Sequence, residues 1–192
     1  MLSAARLTYD EVWNILSGRD AQASRRRAEL VPHLNNLYAL YRVLSKARIG
    51  RGAIDFDTVE TKIVVDSAGR IEKIVPRTRN DAHKLIEECM LAANVSAADF
   101  VHRGKHPCLY RVHEGPTPEK LATLREFLRN LGLSLGVSGE PEPGDYARLT
   151  EKIRDRPDAS LLQTMLLRSM QQAIYSPDNA GHFGLALSLI HI

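Results

Sequence analysis

Cysteine is nearly missing from this chain: Cys89 and Cys108 are the two thiols in 192 residues. They lie far apart and form no CxxC pair and no zinc-finger pattern, which excludes a disulfide framework and a structural zinc site. Both read as reduced, structural thiols, the usage of a cytoplasmic protein. Long hydrophobic runs are missing too. None approaches the ~20 apolar residues that cross a bilayer, so no membrane partner is expected. The opening stretch from Met1 to Arg6 lacks a charged segment followed by an apolar one, so no signal peptide is legible. There is no GxSxG elbow, no P-loop, no GxGxxG and no HExxH, although seven histidines are present.

What is there is ordinary for a globular domain. Hydrophobic residues make up 44% and charged residues 26%, with 26 basic against 23 acidic side chains and a net charge of +3. That mild excess is compatible with nucleic acid without requiring it.

Along the chain, Thr8 is placed to cap a short helix from Tyr9 to Leu16 that ends at Gly18. A long helical stretch follows, in which Leu34, Leu37, Tyr41 and Leu44 share one face, with Pro32 near its start and an end around Gly50 to Gly52. Alternation at Ile54, Phe56, Ile63, Val65, Ile71 and Ile74 then predicts strands. Ser67 to Gly69 forms the turn of a hairpin from Lys62 to Val75, which Pro76 ends. Asn80 or Asp81 caps a second long helix running to about His102, with Ile86, Met90, Ala93 and Ala97 on its buried face. A short strand is expected from Cys108 to Val112, then a helix opened by Thr117 and Pro118 and closed by Gly132. Ser134 to Gly144 reads as a surface loop, and two helices follow, Asp145 to Arg154 and Ala159 to Ile174. The class is α+β, helix-rich, with one hairpin and a few short strands, too few for a self-sufficient sheet.

Several clusters admit two readings from the residues alone. Asp55 and Asp57, two apart on a strand, point to one face and can share a metal or simply line a solvated face. Glu87 and Glu88 point about 100° apart, so they cannot chelate one ion together; one faces solvent and the other can line a cavity. The run Arg25 to Arg27, with Arg42, Lys46, Arg48 and Arg51, can track a phosphate backbone or form a solvated helix face. Tyr9, Tyr38, Tyr41, Phe56 and Tyr175 are candidate base-stacking platforms, with Tyr38 and Tyr41 expected in the core or at its rim.

Longer strings say more. RGAIDFD from Arg51 to Asp57, RNDAHKLIEECMLAAN from Arg79 to Asn94 and LYRVHEGPTPEK from Leu109 to Lys120 resemble successive blocks of the catalytic (RNB) domain of the ribonuclease II/ribonuclease R family. LLRSM from Leu166, YSPD from Tyr175 and GHFGL from Gly181 resemble the last block, and ARLTY from Ala5 the first. The blocks stand in family order from about Ser3 to Leu187, and are nearer the ribonuclease R branch. The resemblance implies an incomplete, helix-rich RNB domain over 3–187 from a processive, hydrolytic 3′→5′ exoribonuclease. Such an enzyme acts on the 3′ end of single-stranded RNA, releases nucleoside 5′-monophosphates, and uses Mg²⁺ held by clustered aspartates. By the same resemblance Phe56 stacks on RNA bases near the 3′ end and Glu87 contacts the bound RNA, accepting from a ribose 2′-hydroxyl. Arg168, Tyr175 and His182 lie in matched blocks without an assigned role.

The departures from the family pattern matter as much. The clustered aspartates belong upstream of ARLTY and the catalytic arginine downstream of GHFGLA. No catalytic residue, no metal ligand and neither of the family's flanking OB-type RNA-binding domains is therefore expected within the chain. The expectation is an inactive piece of the enzyme, with a non-catalytic RNA-binding or adaptor module on the same scaffold as the alternative. The ending LSLIHI is what a transposon-end sequencing adapter encodes, so 188–192 are expected to be a non-native tail. An incomplete sheet should also leave a strand edge and apolar face exposed.

Overall fold

A computed structural model describes residues 3–56, 60–77, 79–136 and 138–187. The chain forms two compact units, Met1–Lys46 with Val59–Ala93, and Ala47–Thr58 with Asn94–Ile192.

The first unit begins with α1 (Tyr9–Leu16), whose N-terminus forms where expected: the Thr8 hydroxyl accepts the Glu11 N–H at 3.1 Å. Asp20 does the same for α2 (Ala21–Arg26), accepting from the Ala23 N–H at 2.8 Å. α3 (Val31–Arg51) carries Pro32 in its first turn, where a missing N–H costs nothing. Ile15, Ala23 and Leu34 make a small core, with Leu7, Val12, Leu16 and Val31 packed on it. The predicted α3 face is only partly realised, since Leu34 is buried but Leu37 is exposed.

Strands β1 (Glu60–Val65) and β2 (Ile71–Arg77) pair antiparallel, Ile63 opposite Ile74, with a bulge at Val64/Val65. The Asp66 carboxylate accepts the N–H groups of Ala68 and Arg70, both at 2.9 Å, and Gly69 takes φ 77° to close the turn. Two expectations fail here. Ile54 and Phe56 lie outside the strands, and β2 runs past Pro76 to Arg77. A two-stranded ladder leaves alternate N–H groups pointing outward, so proline is tolerated. Ile63, Val65, Ile71 and Ile74 are all more than half exposed, the bare apolar face anticipated for a sheet without neighbours.

α4 (Asp81–Arg103) starts where the Asn80 side chain accepts the Ala82 N–H at 3.1 Å. Its buried residues are Ala82, Leu85 and Glu88, while Ile86 and Met90 are 40% and 58% exposed and Ala93 and Ala97 also face solvent. The predicted stripe was thus about a third of a turn wrong. The helix carries apolar residues on more than one side, and spacing alone does not choose between sides.

The second unit is built on β3 (Tyr110–Val112), α5 (Pro118–Asn130), α6 (Pro143–Ile153), α7 (Ala159–Ser169) and β4 (Ile174–Ser176). Leu124, Leu128, Tyr146, Ile153, Leu162 and Leu166 are almost completely enclosed at its centre. Thr117 caps α5 and Gly132 follows it at φ 69°, as read from the sequence. The expected surface loop instead buries Leu133 and Leu135, and α6 starts two residues early at Pro143, where the Glu142 N–H donates to Asp145 at 2.8 Å. α7 stops at Ser169 rather than Ile174. Ser169 Oγ donates to the Leu166 carbonyl at 2.7 Å and sits 2.9 Å from the Tyr146 hydroxyl. Met170 turns extended into the core, and Lys120 donates to its carbonyl at 2.8 Å. The residues beyond are then free to form β4, antiparallel to β3 with Arg111 opposite Tyr175.

Candidate nucleic-acid interface

Phe56 ends an extended segment held by the Ile54 N–H donating to the Gly184 carbonyl at 3.0 Å. Gly52 enters that segment at φ 79°, and a Cβ there would lie 2.9 Å from the Gly144 Cα, so close approach of two backbones requires glycine. The Phe56 ring is half-buried and packs against the central core. Beside it, Arg48 reaches Asp55 at 4.0 Å. Asp57 lies outside the described residues.

Glu87 belongs to the other unit. It is half-buried on α4 and ion-paired with Arg79, while Glu88 is buried, so the two glutamates divide as their 100° separation requires. One turn before Glu87, on the same helix face, His83 stacks on Tyr9 with ring centroids 4.1 Å apart. Asn80 donates to Asp10 at 3.1 Å and the Tyr38 hydroxyl to Asp81 at 2.8 Å, tying the starts of α1 and α4 to α3. Burial, then the Asp81 hydrogen bond, raises the Tyr38 phenol above its ordinary pKa. Tyr38 also faces Tyr41 at 5.7 Å and Trp13 at 6.3 Å, and carries the Arg42 guanidinium 5.8 Å above its ring. Around the start of α4 the fold therefore gathers Tyr9, His83 and Tyr38, with Tyr41, Trp13 and Arg42 against Tyr38 and Arg79 on Glu87. His83, Trp13 and Arg79 were missed in the sequence; the four-residue step from His83 to Glu87 was the available signal.

The basic run is largely a solvated helix face: Arg25 and Arg26 are exposed and Arg27 pairs with Glu11 at 3.2 Å. In the second unit, Arg168 is exposed. Tyr175 is also exposed and carries the Arg111 guanidinium 5.0 Å above its ring. His182 is half-buried, its ring 4.8 Å from that of His113. The Gly184 N–H donates to His113 Nδ1 at 3.2 Å, so Nε2 carries the proton and donates to the Gln171 carbonyl at 2.8 Å. Burial lowers the pKa of both imidazoles, and with His113 adding to it brings His182 down to about 4. This pair was invisible in the sequence because its members come from distant blocks.

Among the described residues no group of three or more His, Cys, Asp or Glu side chains is arranged to hold a metal ion. Of the buried carboxylates, Asp145 is engaged by the Glu142 N–H and by Arg148. Among the described residues the donor set does not fit the divalent ion that the resemblance implies. Both cysteines are free and half-buried. Among the described residues no helix is long and apolar enough to cross a membrane.

Comparison with known proteins gives these positions a context. A family model for the RNB domain matches residues 1–190. Ribonuclease R of Escherichia coli K12 is 55% identical over 97% of the chain, and the chain spans 23% of that relative's length. Among solved structures, Mycoplasma genitalium RNase R in complex with double-stranded RNA superposes with a TM-score of 0.89 at 26% identity, over 97% of this chain and 33% of that one. The same protein in complex with ribose-methylated single-stranded RNA gives 0.88 at 26% identity, over 97% of this chain and 29% of that one.

Proposed function

This chain belongs to the RNB-domain family, and from that premise we propose that it is the RNA-cradling part of a processive, hydrolytic 3′→5′ exoribonuclease that releases nucleoside 5′-monophosphates in the cytoplasm. The observation carrying the reading is the match of the family model to 190 consecutive positions, supported by 55% identity to a ribonuclease R over nearly the whole chain. The domain is assigned to 3–187, within the span that the family model matches.

Phe56 is the base-stacking residue. Its packing on the core fixes the ring, and the part left accessible offers an apolar surface that any base can use. Glu87 is the acceptor for a ribose 2′-hydroxyl. Its pairing with Arg79 orients the carboxylate, and the neighbouring His83–Tyr9 stack supplies a flat wall for a nucleotide. The chain itself holds and orients RNA; the divalent ion that activates water in the family is bound by residues elsewhere in a longer parent protein, beside flanking OB-type domains.

The test uses that parent protein with RNA labelled at the 5′ end. Stepwise shortening from the 3′ end, with mononucleotide products, is expected. Internal cleavage, or no cleavage with the aspartates of the parent intact, refutes the reading and leaves a non-catalytic RNA-binding module in its place.

A further inference from the structure

The end of α4 and the turn after it point to a second RNA contact, and we propose that they bind the phosphate backbone of single-stranded RNA in addition to Phe56 and Glu87. This rests on the RNA-directed reading above and deepens it.

α4 ends at Arg103, and its last carbonyls are closed off by the turn. The Gly104 N–H donates to Phe100 at 3.1 Å, that of Lys105 to His102 at 3.0 Å and that of His106 to Val101 at 3.2 Å. The turn is not neutral in design. Lys105 takes φ 53°, a left-handed conformation unusual for a lysine. A Cβ on Gly104 would meet the His106 ring at 2.7 Å, so glycine allows the imidazole to lie against the backbone. The Lys105 and His106 side chains both line one hollow.

The result is an open hollow of about 600 Å³ lined by His102, Arg103, Lys105, His106, Pro107 and Tyr110. No carboxylate lines it. The nearest acid in the same helix turn, Asp99, takes the Arg103 Nε at 3.0 Å and orients the guanidinium. His102 meets the Tyr110 ring edge-on at 6.4 Å.

Basic residues at a helix C-terminus are often no more than complements to the helix dipole. A dipole complement needs neither a left-handed lysine nor an aromatic wall. His102 and His106 stand four residues apart, the step that pairs metal ligands along a helix, but the helix ends between them and does not present them together. The chemistry is that of a phosphate site instead: a guanidinium, an ammonium, two imidazoles offering N–H donors and a phenol. The hollow is open and shallow, which suits an extended polyanion. Its aromatic edge suits an unstacked base, and so a single strand.

The experiment titrates the 192-residue chain with a fluorescent oligouridylate at several salt concentrations. Arg103→Ala with Lys105→Ala is expected to weaken binding about tenfold at low salt. It should also reduce the slope of log affinity against log salt by about 1.4, at ~0.7 for each lost single-strand phosphate contact. Tyr110→Leu should weaken binding with no change in slope, and Arg25→Ala with Arg26→Ala should change neither. Arg25, Arg26, Arg103 and Lys105 are exposed and Tyr110 is half-buried, and its replacement by leucine keeps apolar volume, so circular dichroism should report an unaltered fold in every variant. An unchanged slope in the Arg103/Lys105 variant overturns the proposal, as does a wild-type chain with no measurable affinity for oligouridylate. Equal weakening toward heparin also overturns it, because the hollow would then be a general polyanion surface. Degradation of RNA from the 3′ end by the parent protein is read separately, so loss of this contact and failure of the nuclease reading are distinguishable.

Discussion

Phe56 and Glu87 make opposite demands on a mutational test. The Phe56 ring packs against the core, so truncation to alanine would confound stability with binding. Phe56→Leu keeps apolar volume and removes the flat π-face. It should weaken single-stranded RNA binding by roughly tenfold, within the 1–3 kcal/mol range for one stacked base, while the melting temperature moves by only a few degrees. Fluorescence anisotropy beside thermal denaturation checks both halves. Glu87→Ala should narrow the preference for RNA over DNA of the same sequence several-fold, whereas Glu87→Gln, which keeps an acceptor oxygen, should retain most of it. A ratio unchanged by Glu87→Ala would place the carboxylate in structure alone. Neither residue was singled out by its own chemistry. Phe56 was one of five candidate stacking rings and Glu87 one of two adjacent glutamates, and only the longer family strings around them separated them from the others. Arg79, which pairs with that glutamate, and the His83–Tyr9 stack were missed because ion pairing and ring stacking depend on how segments meet.

At the level of elements, local signals were legible and tertiary ones were not. Thr8 and Thr117 capped helices as read, because a cap is a contact within three residues. The buried side of α4 and the end of α7 were misread because both depend on partners far along the chain: Tyr146 holds Ser169, and β3 recruits Ile174. The segment 181–187 folds back in the same way, with the Phe183 N–H donating to the His113 carbonyl at 2.7 Å. His182 gives this segment a pH signature. Its imidazole titrates at about 4 in the fold against 6.5 outside it, so the unfolded chain takes up the proton first as pH falls. Stability should therefore be retained above pH 6.5 and decline between 6.5 and about 4. His182→Gln should flatten that decline, as followed by urea unfolding at each pH. An equally steep decline in the variant would assign it to other groups. In the core of the second unit, Leu166→Ala should cost about 2–5 kcal/mol, measured the same way, since its side chain is fully enclosed.

At the scale of the whole molecule, the most exposed apolar surface described above is the face of the β1–β2 hairpin. Four exposed β-branched residues on a two-stranded ribbon are an association hazard in an isolated chain. Concentration-dependent self-association is expected in sedimentation experiments, and Ile63→Lys with Ile74→Glu should reduce it. Helix-rich class, hairpin and block order were all legible in advance, since they are written in spacing and in long matched strings. The division into two units was not, because two of its three boundaries fall inside continuous helices, α3 and α4. The central claim is that these residues grip RNA without containing the centre that cuts it. It is tested most directly by incubating the purified 192-residue chain with 5′-labelled single-stranded RNA and Mg²⁺. The account predicts RNA of unchanged length under conditions in which the parent protein shortens it from the 3′ end. Release of nucleoside 5′-monophosphates by the chain alone would contradict it.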